Sequence, residues 1–188
     1  MNDKDLLELI KKRRSVRIFQ QEKDISFGDI RDIIEAGIYA PSGSNTQCYR
    51  FIITTEELDI YFLSEKKLSW IKESKCCIIV YADLTQCNYL KSNRKEVFKY
   101  LPYQDCSMAM QNMLLMATAK GISSCMVHLS EEWKTAKKIK EYFGLISTDE
   151  LMGIIVLGYS NKTEGDDTHA GKPVKRNILG SYIKTWRQ

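Results

Sequence analysis

The chain reads as α+β, or as an irregular α/β arrangement. Helix-period and strand-period segments are mixed along its 188 residues, no strand-to-helix turn is Gly-rich, and no internal repeat or low-complexity linker interrupts them. That length suits one domain spanning residues 1–188 with a single substantial core.

Leu6, Leu7, Leu9 and Ile10 have helical spacing, so a first helix delivers Arg13 to Arg17 at its C-terminal side. Ser26 with Asp29 forms a capping-box pattern, Ile30, Ile33, Ile34 and Ile38 make one apolar face, and Pro41 stops this second helix. The β-branched and aromatic content of Tyr49–Thr54 predicts a strand. Residues 56–72 read as a helix with Leu58, Tyr61 and Phe62 as core contacts, and residues 76–82 as a short buried strand. Residues 83–101 carry no clear period and are expected to form a helix and loop near the substrate side. Met108, Gln111, Asn112, Leu115, Met116 and Ala119 repeat at helical intervals within residues 104–120, and Gly121 fits just past the helix end. A strand over 124–129, a helix over 131–143 closed by Gly144, and a buried strand over 151–157 complete the order.

Charge argues against a nucleic-acid surface: 28 basic residues are scattered among 24 acidic ones, for a net charge of only +4. The six cysteines lack the paired short spacing of a zinc ribbon, and only His128 and His169 could join them, so no metal centre is expected. The first twelve residues are charged and amphipathic, and no stretch reaches membrane-spanning length, so the expectation is a cytoplasmic chain with reduced thiols and no membrane association.

Two segments carry chemistry. Arg13-Arg14-Ser15-Val16-Arg17-Ile18-Phe19 gathers guanidinium groups, which present paired planar donors to phosphate oxygens, around a serine hydroxyl. Ala40-Pro41-Ser42-Gly43-Ser44-Asn45-Thr46-Gln47 adds backbone and amide donors suited to a flat polar ring. Together they point to a phosphorylated, ring-bearing cofactor. Each also has a bland reading: a basic helix end favoured by the helix dipole, and an ordinary helix-terminating turn.

These segments, with residues 105–121 and the Leu157-Gly158-Tyr159 strand end before a basic tail, resemble in order and spacing the nitroreductase family of FMN-dependent oxidoreductases. The resemblance implies a nitroreductase-like fold, a central mainly antiparallel sheet flanked by helices, in an intertwined homodimer with FMN in the subunit interface. It implies that Arg13, Ser15 and Arg17 bind the ribityl phosphate and the pyrimidine side of the ring, with Arg14 contributing backbone. Pro41, Ser42, Gly43, Ser44 and Asn45 match the loop that approaches the flavin from the other subunit, Asn45 supplying a side-chain contact near the ring.

Residues 126–129 match the segment that runs past the ring, where backbone amides donate toward N5. His128 lies there, either as a donor or substrate contact or as a structural histidine. Lys175 and Arg176, with Lys172 as the other register, resemble the basic segment that completes the phosphate site, although a solvated tail reads equally well. Tyr182 and Trp186 then anchor the terminal arm on the partner. Asp105, Gln111 and Asn112 match a stretch near the cofactor used mostly for packing, Gln111 and Asn112 as locally satisfied polar groups. Cys48 and Tyr49 depart from the proline and tryptophan common in relatives, which bears on substrate preference.

The implied activity is electron transfer from NADH or NADPH through FMN to a nitroaromatic, quinone or similar small acceptor, by ping-pong exchange in one cleft and with no catalytic side chain assigned. The alternatives are dehalogenation, enoyl reduction or flavin processing on the same scaffold, or a non-catalytic flavin-binding sensor.

Overall fold

The computed structural model describes residues 2–65, 68–91, 95–129, 134–160 and 181. In chain order these form α1 (Asp3–Lys12), α2 (Phe27–Ile38), β1 (Tyr49–Thr54), α3 (Glu57–Ser64), β2 (Cys76–Asp83), α4 (Lys95–Phe98), α5 (Leu101–Ala119), β3 (Ser123–His128), α6 (Lys134–Tyr142) and β4 (Asp149–Gly158). The strands make one sheet in the order β1-β2-β4-β3, with every neighbouring pair antiparallel. The α+β reading therefore holds. Among the described residues, no helix is long and apolar enough to cross a membrane.

β2 and β4 are central and carry almost continuous apolar runs because both of their faces are covered. Side chains alternate between two cores. Cys76, Ile78, Val80 and Ala82 pack with Ile30 and Ile33 of α2 and with Met110 and Met113 of α5. Cys77 and Ile79 pack on the other side with Ile60 and Leu63 of α3 and Ala136 and Ile139 of α6.

The element boundaries follow local chemistry. Ser26 caps α2 by accepting from the Asp29 amide, and the helix ends at Tyr39, before Pro41. Gly121, at φ +69°, adopts the left-handed turn past the end of α5 that side chains disfavour.

Three packing expectations need correction. In α2, Gly37 is buried where Ile38 is exposed, so the four isoleucines do not share one buried stripe. Within residues 56–72, α3 stops at Ser64, a 3₁₀ turn covers Ser69–Glu73, and the buried residues are Ile60, Leu63, Ser64 and Ile71, while Leu58 is 79% and Tyr61 58% exposed. In α5 the buried stripe is Asp105, Cys106, Ala109, Met110, Met113, Leu114 and Ala117 rather than the one through Met108 and Ala119. That helix is apolar around most of its circumference, so period alone did not single out the covered face.

An ion-pair clamp joins the start of α2 to the end of α5: Lys120 Nζ lies 2.8 Å from Asp29 Oδ1 and 2.7 Å from Asp32 Oδ2. Both carboxyls are held below their ordinary value chiefly by their hydrogen bonds to Lys120, and the lysine is held above its own by bonds to Asp29 and then Asp32. The clamp is therefore complete near neutrality. It is lost as pH falls through the depressed carboxyl values or rises through the raised lysine value. The melting-temperature gap between wild type and Lys120→Met should be constant from about pH 5 to about pH 9 and close in acid below the ordinary carboxyl range. A gap that persists at the acid extreme would assign the effect to stem packing instead.

Candidate functional site

The predicted cationic segment is laid across the ends of two strands. The Val16 amide donates to the Ser124 carbonyl of β3 at 2.9 Å, and the Gln20 amide to the Tyr159 carbonyl just past β4 at 2.9 Å. Val16 and Phe19 are buried and hold the segment down. Phe19 fits because Gly158 has no side chain: a Cβ there would meet Phe19 Cδ1 at 2.6 Å. Arg13, Ser15 and Arg17 are left half-buried on this extended stretch.

All three bear on the buried thiol of Cys125. Burial pushes its thiol up, while the Arg17 charge, a hydrogen bond with Ser15 and the Arg13 charge pull the other way. Arg17 Nη1 donates to the Ser15 carbonyl at 3.3 Å, and Arg14 Nη1 to the carbonyls of Arg13, at 3.0 Å, and Lys11. Neither Arg14 nor Arg17 meets a carboxylate among the described residues. Positive charge collected without acidic partners is a poor way to stabilise a fold and a good way to receive an anion.

β3 extends this cluster into a track. It is an edge strand of the described sheet. The Ser124 carbonyl, which accepts from Val16, points off that edge. By the two-residue period the backbone groups of Met126 and His128 point off the same edge. Met126 is 43% exposed and His128 is exposed, about 14 Å along the strand from Ser124. Ser124 Oγ, beside the cationic segment, is buried without a hydrogen-bond partner.

The second predicted segment is a tight, strained loop. A 3₁₀ turn covers Gly43–Asn45, and Ser44, Asn45 and Gln47 have φ of 52°, 53° and 49°. Left-handed backbone at a residue with a side chain costs on the order of 1 kcal/mol, less at asparagine, and persists where surrounding bonds over-determine it. Those bonds are present. Ser42 Oγ accepts from the Gln47 amide at 2.9 Å, Asn45 Oδ1 from Gln47 Nε2 at 3.0 Å, and Asp105 Oδ1 from the Gly43 amide at 2.9 Å. Arg50 Nη1 donates to the Gln47 carbonyl at 2.7 Å, and Tyr49 OH lies 2.9 Å from the Ile38 carbonyl and 3.0 Å from that of Ala40. Pro41, Ser44 and Asn45 are exposed, while Thr46 Oγ1 is buried without a partner.

Behind the loop, Cys48, Cys87 and Cys106 gather with Tyr89 around Asp105. Cys48 is pushed up to about 12, first by its hydrogen bond with Cys106 and further by burial and the Asp105 charge. Tyr89 is also raised, mainly by burial. All six cysteines are free and buried.

Within one chain the two segments do not meet. Tyr49 pairs with Ala82, whereas Ser124 pairs with Leu157, which pairs with Cys76. They are therefore three strand spacings apart across the sheet and six residues apart along it, a diagonal of about 25 Å. Lys175 and Arg176, like Lys172, Tyr182 and Trp186, lie outside the described residues. Asn112 donates to the Ala36 carbonyl at 3.2 Å, the local satisfaction expected of it. The loop's main supports, Arg50, Tyr89 and the Asp105 carboxylate, were not foreseen as such. Tyr89 falls in the stretch without periodicity, and no sequence signal marks it.

The sequence profile of the Nitroreductase family matches residues 10–75 and 59–159. The chain belongs to the nitroreductase family. A protein of Archaeoglobus fulgidus, described as a candidate NADH dehydrogenase/NAD(P)H nitroreductase, is 29% identical over 161 residues, covering 82% of this chain and 85% of the relative. Protein DrgA of Synechocystis is 27% identical over 161 residues, covering 72% and 77%. A nitroreductase-like protein of Streptococcus mutans superposes with a TM-score of 0.82 at 16% identity, over 98% of this chain and 99% of that one. A candidate nitroreductase of Desulfovibrio desulfuricans, solved in complex with FMN, superposes with a TM-score of 0.76 at 23% identity, over 100% and 99%. Family membership and the shared fold thus agree with the architecture described above.

Replacing Tyr49 with phenylalanine keeps the ring and leaves the Ile38 and Ala40 carbonyls without that donor. Urea unfolding should show a loss of about 1–2 kcal/mol with an unchanged denaturant slope. No loss would mean that the hydroxyl does not hold the helix-to-loop junction.

Proposed function

We propose that this chain is a flavoprotein oxidoreductase that uses FMN to pass electrons from NADH or NADPH to a nitroaromatic, quinone or similar small acceptor, in two half-reactions that share one cleft. The observation that carries this reading is the cationic cluster of Arg13, Ser15 and Arg17 at one end of an open strand edge. That edge then presents backbone donors at Met126 and His128 over about 14 Å. An elongated ligand with a phosphate at one end and a polar ring at the other matches this distribution. The unpartnered hydroxyls of Ser124 and Thr46, one in each half of the site, fit the hydroxyl and carbonyl groups of such a ligand. The Desulfovibrio relative was solved with FMN, and the Archaeoglobus relative's name includes NAD(P)H, in line with the same cofactor and donor here.

FMN, when bound, supplies the redox chemistry. The chain's residues do the rest. Arg13, Ser15 and Arg17 would hold the phosphate, Lys175 and Arg176 being the further candidates by sequence, and the outward amide of Met126 would donate to the ring edge. His128, exposed at the far end of β3, would be the side chain nearest an acceptor stacked on the ring. Protons come from solvent through the open cleft, so no side chain is required as an acid or base.

The second half of the site comes from another copy of the chain. The diagonal of about 25 Å prevents the 41–47 loop from reaching its own chain's cluster. The apolar faces needed for pairing are present. α1 buries none of its residues and exposes Leu6, Leu7 and Ile10, and Met108 of α5 is also exposed. A groove of about 590 Å³ between α2 and β1 is lined by Phe27, which is 83% exposed, with Ile30, Ile34, Ile38 and Ile53.

Purified protein should be yellow and bleach on addition of NADH or NADPH; colourless protein that takes up no FMN would remove the reading. The Arg13→Ala/Arg17→Ala double variant should weaken FMN binding about a hundredfold or more by fluorescence titration, because two charge-assisted contacts are lost. Co-expression of that variant with Gly43→Val tests the shared site. Random pairing should restore roughly a quarter of wild-type quinone reduction, from mixed dimers with one intact site. Dimers that form without recovering activity would place both halves of the site in one chain.

A further inference from the structure

We propose that Asp105 is the positioning residue of the 42–47 loop, holding it through a buried carboxylate shared by donors from the 43–48 stretch and from the 3₁₀ turn Asn88–Lys91. Its consequence for cofactor binding rests on the FMN reading above, and its consequence for loop order does not.

Asp105 is 1% exposed, in the second turn of α5, and no lysine or arginine pairs with it among the described residues. A carboxylate buried without a cation must replace its water with hydrogen bonds. Three donors do this. The Gly43 amide reaches Oδ1 at 2.9 Å; the Cys48 thiol lies 3.7 Å from Oδ2, and Tyr89 OH 3.4 Å from it, sharing its proton with Cys87 Sγ at 3.3 Å. They belong to the loop, to the residue that leads into β1, and to the 3₁₀ turn Asn88–Lys91. Each can donate to an oxygen, and an ionised carboxylate is acceptor-only, so the match needs no donor on Asp105.

The Gly43 bond differs in kind from the others that shape the loop. Those from Gln47 and Arg50 run within the loop or to the adjoining strand and separate residues by at most five positions. Asp105 and Gly43 are 62 positions apart, so this bond ties the strained turn to the central helix. It acts immediately before Ser44 and Asn45, whose left-handed backbone needs external support. Packing leaves little slack: a Cβ at Gly43 would lie 3.1 Å from Leu101 Cδ1 and 3.5 Å from Tyr89 Cε1. The carboxylate thus sets both the height and the tilt of the loop's first turn, and through them where Ser44 and Asn45 are presented.

Asparagine keeps the Oδ1 acceptor for Gly43 but turns an N–H₂ toward Tyr89 and Cys48, whereas alanine removes both oxygens. Hydrogen exchange of the cofactor-free protein should therefore show amides 43–47 exchanging at least about tenfold faster in Asp105→Ala than in wild type, with Asp105→Asn in between. FMN dissociation constants should rise in the same order, by about tenfold or more for alanine. Met113→Ala, a cavity in the same helix away from the loop, should lower the melting temperature and leave loop exchange and FMN affinity within about twofold.

If Asp105→Ala does not fold, Asp105→Asn and Tyr89→Phe carry the same comparison with smaller increments. Unchanged loop exchange in the foldable variants, or an equal rise in Met113→Ala, would overturn the assignment. Faster loop exchange in Asp105→Ala, together with a wild-type protein that binds no FMN, would support the positioning role and defeat the FMN reading alone.

Discussion

Two backbone hydrogen bonds, from Val16 to Ser124 and from Gln20 to Tyr159, determine what the rest of the molecule can do. They turn the residues after α1 into an added segment along the ends of β3 and β4, and burial of Val16 and Phe19 fixes their rotation. Three groups suited to an anion then arrive beside an open strand edge by consequence of strand geometry rather than by contacts of their own. The energy that assembles this cationic cluster comes from the core. Arg14 and Arg17 accordingly meet no carboxylate among the described residues.

The opposite corner of the sheet follows a different logic. There the backbone is held in an unfavourable conformation by polar groups that converge from β1, α5 and the 3₁₀ turn at Asn88–Lys91. A relaxed turn would need none of them. The two corners thus divide the work: one collects charge on a regular scaffold, and the other stores strain in an irregular one. Within one chain the two corners stay about 25 Å apart across the sheet.

Much of this order was legible in the sequence because it depends on local signals. Ser26 as a cap, Pro41 as a stop, Gly121 at a positive φ and the apolar runs of β2 and β4 each announce themselves within a few residues. What was not legible depends on partners distant in the chain. The buried face of α5 was misplaced because nearly every face of that helix is apolar, and only packing on α2 and the sheet selects one. Leu58 looked like core, yet its helix turns Ile60 and Leu63 inward. Asp105 gave no hint of its three donors, which come from residues 43, 48 and 89. The cationic segment and the small-residue loop stood out by composition alone, a signal that needs no knowledge of the fold.

The cysteines carry a last implication. Every one is buried, and Cys48 in particular ionises only near 12, so at neutral pH almost none of it is thiolate, the form that alkylating agents and peroxides attack. Burial thus withholds the sulfur atoms from reagents in solvent.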